Sequence, residues 1–275
     1  MTSSRLKPLL LMGAGVVVFC VIVLPYFVMT MTALKPDDEV YRLPPSVVPS
    51  DWSWGNFVQV WSEAPLATWL GNSLVVTVTA TAITLLIATP AAYHLARREF
   101  RFKRLIMIVL LLGQMITPTL VIIGLYREFL ALGLVNTLTA LIIVNVAFHV
   151  SFVVWIMTSY FRSIPAEVAE AAHLDGCSDI GALWRVILPM AAPGVVTAAV
   201  FTFVSVWNEY IVALLLIKDR DLLPVAVGIT SFQGQYTVQW QFLFAAALIA
   251  VLPIIVMFST IEGRLVGGLT AGATK

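Results

Sequence analysis

Leu138–Phe161 reads LTALIIVNVAFHVSFVVWIMTSYF, 24 residues without one acidic or basic charge apart from a neutral histidine. A helix rising 1.5 Å per residue needs about 20 mostly apolar residues to cross a hydrocarbon core of roughly 30 Å, where no water can satisfy an open backbone. This stretch is therefore a membrane span. Working outward from it, five more segments qualify, approximately Leu9–Leu34, Leu66–Tyr93, Leu105–Tyr126, Val195–Ile217 and Phe242–Ile261. The fold class is all-α, a polytopic membrane protein with six transmembrane helices. Composition agrees: 60% of the 275 residues are hydrophobic and 11% charged, against roughly a quarter charged in soluble domains, and the mean hydropathy is +0.96.

The first segment follows Arg5 and Lys7 as a signal peptide would. It runs uncharged from Pro8 to Leu34, however, beyond the usual apolar region of about 7–15 residues, and reads as an uncleaved first span. Short loops rich in Lys and Arg stay in the cytoplasm. One side carries Arg5, Lys7, Arg97, Arg98, Arg101, Lys103, Arg104, Arg162, Arg185, Arg264 and Lys275; the other carries only Lys35, Arg42, Arg127, Lys218 and Arg220. Both termini are expected in the cytoplasm, with Trp52, Trp54, Trp61 and Trp240 at outer span ends, where amphipathic rings favour the headgroup level. A net charge of +1 gives no nucleic-acid footprint. Cys20 and Cys177 fall in a span and in a loop on the reducing side, which argues against a structural disulfide.

The outer loop Lys35–Pro65, with Pro44, Pro45, Pro49, Trp52, Trp54 and Phe57, reads as an extended cap packed on its own helices; a docking surface for an extracytoplasmic protein is the other reading. The longest cytoplasmic connection, Arg162–Met190, reads as two short helices. Ser163-Ile164-Pro165 starts the first, Glu167 and Glu170 favour its positive end, and alanines 166, 169, 171 and 172 propagate it. Gly176 stops it, because glycine adopts the left-handed cap conformation at no steric cost. Ser178 or Asp179 caps the second, whose Ile180, Leu183, Trp184, Ile187 and Leu188 form one apolar stripe. Pro189 ends it and Pro193 marks re-entry into the membrane. Such a stripe needs covering by its own bundle, by lipid or by a partner, and periodicity alone leaves all three open.

Glu170-Ala171-Ala172-His173-Leu174-Asp175-Gly176, then nine residues, then Val186-Ile187-Leu188-Pro189, resembles the EAA loop of ABC-importer permeases. Val186 stands where the family usually has Ile, and Cys177 where it often has Ala. Asn72-Ser73, Trp207-Asn208-Glu209-Tyr210 and the tail Gly268-Leu269-Thr270-Ala271-Gly272 extend the likeness over most of the chain, toward the maltose-transporter (MalG) type of carbohydrate permease. The resemblance implies a single permease domain over residues 1–275 of the type I importer, MetI-like, fold, in a bacterial inner or plasma membrane. It implies a cytoplasmic coupling loop, 162–190, in which Glu170, Ala171, Ala172, Asp175, Gly176, Leu188 and Pro189 meet the ATPase. The cytoplasmic tail 262–275 either reaches that interface or is a free terminus. Implied partners are a second permease forming a heterodimer, two ATPase subunits that bind the ATP and Mg, an extracytoplasmic solute-binding protein and the lipid bilayer. The implied cargo is a di- or oligosaccharide, with trehalose as the specific expectation.

Within the spans, Glu209 is the charged group placed deepest, costing at least roughly 2.5 kcal/mol unless it faces protein or water. It reads as a pathway residue, or as a hydrogen-bonding partner between helices. Gln114, Asn208 and Tyr210 are the other pathway candidates, with Asn145 and Thr117 behind them; amides, carboxylates and aromatic faces are what sugars need. Pro90 and Pro118 are expected to kink their helices. His149 on the fourth span reads as packed or hydrogen-bonded, and His94 and His173 have no metal spacing. Neither a phosphate-binding loop nor a catalytic constellation is present, so the chain binds no cofactor of its own, holds no metal and is not an enzyme. The rival reading is an ion- or proton-coupled secondary carrier in which Glu209 titrates.

Overall fold

A computed structural model describes residues 3–271, with side chains described over residues 12–261. In chain order the helices are α1 (Ser3–Ala33), α2 (Asp37–Val40), α3 (Asn56–Glu63), α4 (Leu66–Arg97), α5 (Lys103–Met115), α6 (Pro118–Ala131) and α7 (Leu138–Ser163). They continue as α8 (Ala166–Leu174), α9 (Asp179–Ala182), α10 (Leu188–Met190), α11 (Ala192–Trp207), α12 (Ile211–Leu216), α13 (Val225–Gly228) and α14 (Trp240–Ala271). Among the described residues β structure is limited to an isolated antiparallel bridge between Gln233 and Val238.

Four helical stretches are each long and apolar enough to cross a membrane: Met12–Ala33, Leu66–Arg97, Leu138–Ser163 and Trp240–Ile261. Two bent pairs raise the number to six if each is one span, α5 with α6 at 93° and Asp179–Met190 with α11 at 82°. Two spans expected as single helices are thus broken. Leu105–Tyr126 divides at Ile116–Thr117, because Pro118 has no N–H to return to Gln114 and its ring pushes Thr117 to an extended conformation, ψ 141°. Val195–Ile217 divides at Asn208–Tyr210, between α11 and α12. Pro90 and Pro253, by contrast, lie inside helices that run on past them.

The chain divides into two compact units. The first comprises the chain up to Ala67 with Ile229–Leu252. The long apolar α1 exposes side chains all round, from Met12 to Val28, the pattern of a helix made to face lipid or another chain. Beyond it the outer loop is tied down by polar groups. The buried Glu39 carboxylate accepts from Ser46 Oγ (2.5 Å), Ser50 Oγ (2.8 Å) and Ser50 N–H (2.9 Å). Asn56 donates to the carbonyls of Ala33 and Lys35, at 2.9 and 2.8 Å, and Gln241 Nε2 donates to Asp37 at 2.8 Å. The Tyr41 hydroxyl donates to the Val238 carbonyl. These bonds make the loop a cap on its own helices. They lower the Glu39 carboxyl to about 2, chiefly through the Ser46 hydroxyl and then the Ser50 amide.

The second unit, Thr68–Gly228 with the segment from Pro253 on, holds the rest. One apolar cluster joins Ala88, Ala92, Met157 and Phe161 of the spans to Leu183 and Ile187 of the cytoplasmic connection. Another joins Val76, Ile122, Leu141, Val206, Val212 and Leu216 toward the opposite ends of those helices. Close approach at two places requires glycine. A Cβ on Gly194 would stand 2.4 Å from the Tyr160 ring, and one on Gly228 2.3 Å from the Trp69 ring.

The same face of α4 fixes the loop after α12. Trp69 Nε1 donates to Arg220 O (2.8 Å), Asn72 Nδ2 to Asp221 O (2.8 Å), and Ser73 Oγ accepts from Val225 N–H (2.8 Å). Asn72 and Ser73 therefore do structural work at the mouth of the second span.

Candidate functional site

The cytoplasmic connection folds as an elbow. α7 runs to Ser163, Pro165 leads into α8, and α8 ends at Leu174. Gly176 sits at φ +85°, with its N–H donating to His173 O (3.0 Å) while Cys177 N–H donates to Ala172 O (2.9 Å). These two bonds satisfy carbonyls that a helix end leaves open, in the motif a left-handed glycine makes possible. Ser178, not Asp179, caps the second helix, its Oγ accepting from Gly181 N–H at 3.2 Å. Asp179 instead closes the elbow, pairing with Arg98 (3.2 Å) and His173 Nε2 (3.2 Å), while His173 Nδ1 lies 2.9 Å from Cys177 O.

The expected single stripe is split. Leu183 and Ile187 are buried against the spans, whereas Ile180 is 71% exposed and Trp184 43%. The cause is a π-helical turn over Leu183–Ile187, in which Leu188 N–H reaches Leu183 O, five residues back. A wider turn takes more residues per revolution, so positions spaced for 3.6 no longer share a face. Pro189 favours it by lacking the N–H that would return to Arg185. It does not end the helix, which continues to Met190 and breaks at Ala191.

Of the expected coupling residues, Glu170, Ala171, Asp175, Gly176 and Pro189 are exposed, Leu188 is half-buried and Ala172 is buried under α8. Leu174 at the elbow tip, 90% exposed, was not among them. Its signal in the sequence was weak, one apolar residue outside the stripe and just before the stop. Behind the elbow lies a cavity of about 410 Å³ lined by His94, Arg97, Arg98, Glu170, His173 and Asp179 among others. Nearby, Glu99 is held below the usual carboxylate range by its hydrogen bond from Lys103 and that cation's charge.

The pathway candidates part company. At the break between α11 and α12, Glu209 Oε1 accepts from Val212 N–H (2.7 Å) and Oε2 from Ala213 N–H (3.1 Å). The carboxylate thus serves the open amides at the start of α12. It lines a crevice of only about 10 Å³ with Ser73, Thr77 and Asn145. Asn208 donates back to Val204 O (2.8 Å), Asn145 to Leu141 O (2.9 Å), and Tyr210 is half-buried.

Gln114 lies elsewhere, at the break between α5 and α6. There it lines a pocket of about 230 Å³ with Gly113, Ile116, Pro118, Phe148, His149, Phe152 and Phe201. The tail segment from Gly272 falls outside the described residues, as do the side chains from Glu262 on.

Residues 85–269 match the family described as "Binding-protein-dependent transport system inner membrane component". The sulfoquinovosyl glycerol transport system permease protein SmoH of Agrobacterium fabrum is 34% identical over 244 residues, 89% of this chain and 86% of that protein. The trehalose/maltose transport system permease protein MalG of Thermococcus litoralis is 33% identical over 279 residues, 100% of this chain and 99% of that protein. In fold, the chain is similar to a chain of a bacterial ABC transporter involved in the import of the acidic polysaccharide alginate. The TM-score is 0.79 at 19% identity, over 96% of this chain and 98% of that one.

Proposed function

This chain belongs to the family of binding-protein-dependent transport system inner membrane components, and on that premise we propose that it conducts a carbohydrate in an ATP-driven importer, with its elbow docked on a separate ATPase. It is a multi-pass inner-membrane permease subunit of the MetI-like fold, and not itself an enzyme. The observation that carries the docking is the two-sided elbow. Its outer face offers Leu174 and Ile180 to a partner, while its inner face, Leu183 and Ile187, belongs to the same apolar cluster as Met157 and Phe161. A packed interior transmits displacement, being close to incompressible. Closure of the ATPase on the elbow would then tilt α7 and α11 and open the path to the other side.

The printed substrates of the relatives, trehalose/maltose and sulfoquinovosyl glycerol, support a glycoside cargo; trehalose is our specific choice. The working assembly pairs this chain with a second permease, two ATPase subunits holding ATP and Mg, and an extracytoplasmic binding protein. The carrier alternative needs a Glu209 free to exchange protons. Its carboxylate is instead committed to two backbone amides in a closed crevice.

The test is uptake of labelled trehalose and maltose by the complete transporter in proteoliposomes. Uptake should require internal ATP and external binding protein. Uptake by this chain alone, driven by a proton or sodium gradient, would contradict the proposal.

A further inference from the structure

We propose that the pocket at the α5–α6 break is a sugar-binding subsite on this chain's half of the pathway, with His149 accepting a hydroxyl and Phe152 and Phe201 supplying the apolar face. The inference rests on the carbohydrate reading above and deepens it.

Depth comes first. At 1.5 Å per residue, Met115 lies about 18 Å along α5 from Lys103, and His149 about 16 Å along α7 from Leu138, so both stand near the middle of a core roughly 30 Å thick. A helix broken at that depth leaves carbonyls without partners, which a bilayer tolerates only where they are buried in protein or line a wet cavity. Here the break borders a cavity: Gln114, Ile116 and Pro118 line it.

The chemistry of the lining is specific. His149 Nδ1 lies 2.7 Å from the Asn145 carbonyl, which can only accept. Nδ1 therefore carries the proton, and in the neutral ring Nε2 is left as an acceptor. A sugar hydroxyl can donate to it. Gln114 adds an amide that both donates and accepts. Phe152 and Phe201 stack with centroids 3.8 Å apart and present rings to the cavity, suited to the C–H face of a pyranose. A volume of about 230 Å³ fits one sugar ring, not two, so the second ring of a disaccharide would lie against the partner permease. Apolar walls with a few placed polar groups are the ordinary make-up of a small-molecule site.

The experiment uses the complete transporter in proteoliposomes with labelled trehalose and maltose, reading KM, maximal uptake and binding-protein-stimulated ATP hydrolysis. His149→Phe and Phe201→Leu should each lower uptake efficiency about tenfold, the scale of one lost hydrogen bond. His149→Gln, which keeps an acceptor, should recover part of it. Phe203→Leu should change neither, because Phe203 stacks on Trp207 outside the pocket. Stimulated ATP hydrolysis should persist in all four, showing that the complexes are assembled. If wild type takes up neither sugar with ATP, the carbohydrate reading falls and this subsite's ligand class with it. Wild-type uptake that His149→Phe and Phe201→Leu leave unchanged overturns the subsite alone. Loss of the second permease on purification, with uptake per assembled complex intact, overturns it too by making the pocket a subunit contact.

Discussion

Two spans are broken, and the breaks are opposites. At Asn208–Tyr210 the freed amides are taken by the Glu209 carboxylate, and the surrounding crevice is about 10 Å³. At Ile116–Thr117 a cavity of about 230 Å³ opens beside the freed carbonyls, and Gln114 and Thr117 are exposed. Both put polar residues at membrane depth, yet one closes on itself and the other stays available. Depth and polarity alone therefore do not mark a transport path; what distinguishes the two is whether the polar groups already have partners.

The largest effect that would sharpen this contrast is expected from Glu209→Leu. It leaves the Val212 and Ala213 amides without an acceptor in a closed site, at about 1–3 kcal/mol each. The thermal midpoint of the purified complex should fall steeply, while the sugar KM of whatever remains folded stays put. A changed KM with an unchanged midpoint would reverse the roles assigned to the two breaks. Gly228→Val comes next, forcing a Cβ to within 2.3 Å of the Trp69 ring on the α4 face that anchors the loop after α12. Overpacking of this kind costs about 1–3 kcal/mol, and the same midpoint reads it.

Glu39 repeats the Glu209 arrangement outside the membrane, where pH reaches it. Its folded carboxyl is lowered to about 2, so the unfolded loop binds protons first as pH falls. The loop's stability should be complete above the ordinary carboxylate range, about pH 4, and be lost progressively as pH drops toward 2. Hydrogen-exchange protection of the Ser50 amide should follow that course, and Glu39→Gln should lose severalfold protection and most of the pH dependence. The smallest stability effect belongs to the open break: Gln114→Leu should leave the midpoint within about 0.5 kcal/mol, as exposed sites usually do, while sugar uptake falls. A large destabilisation there would mean that this break, too, is closed by its own polar groups.

Much of this was legible in the sequence because it depends on local signals. Span number, the elbow, its Gly176 stop and the Ser178 cap all follow from hydropathy, helix-capping chemistry and the left-handed tolerance of glycine. The π-helical turn was not, since periodicity assumes the 3.6-residue turn that Pro189 disrupts, and so the stripe from Ile180 to Leu188 split between two faces. Glu209 was legible as a costly residue but not as a cap, because its partners become available only when the span breaks just after it. His149 was passed over as a packed histidine. Its place beside Gln114 and Phe201 comes from three helices meeting, which no single-helix pattern contains.

The central claim is that the elbow drives the spans, and two glycines test it most directly. Gly176 (φ +85°) at the elbow and Gly133 (φ +69°) at the opposite end of α7 both hold a left-handed conformation, and neither has an atom within 4 Å of an added Cβ. Valine at either position brings the same backbone strain, about 1–2 kcal/mol, without a clash. ATP-driven trehalose uptake should fall at least about tenfold in Gly176→Val, with basal ATP hydrolysis retained, and stay near wild type in Gly133→Val. Uptake that survives Gly176→Val, or that falls equally in both, would contradict the account.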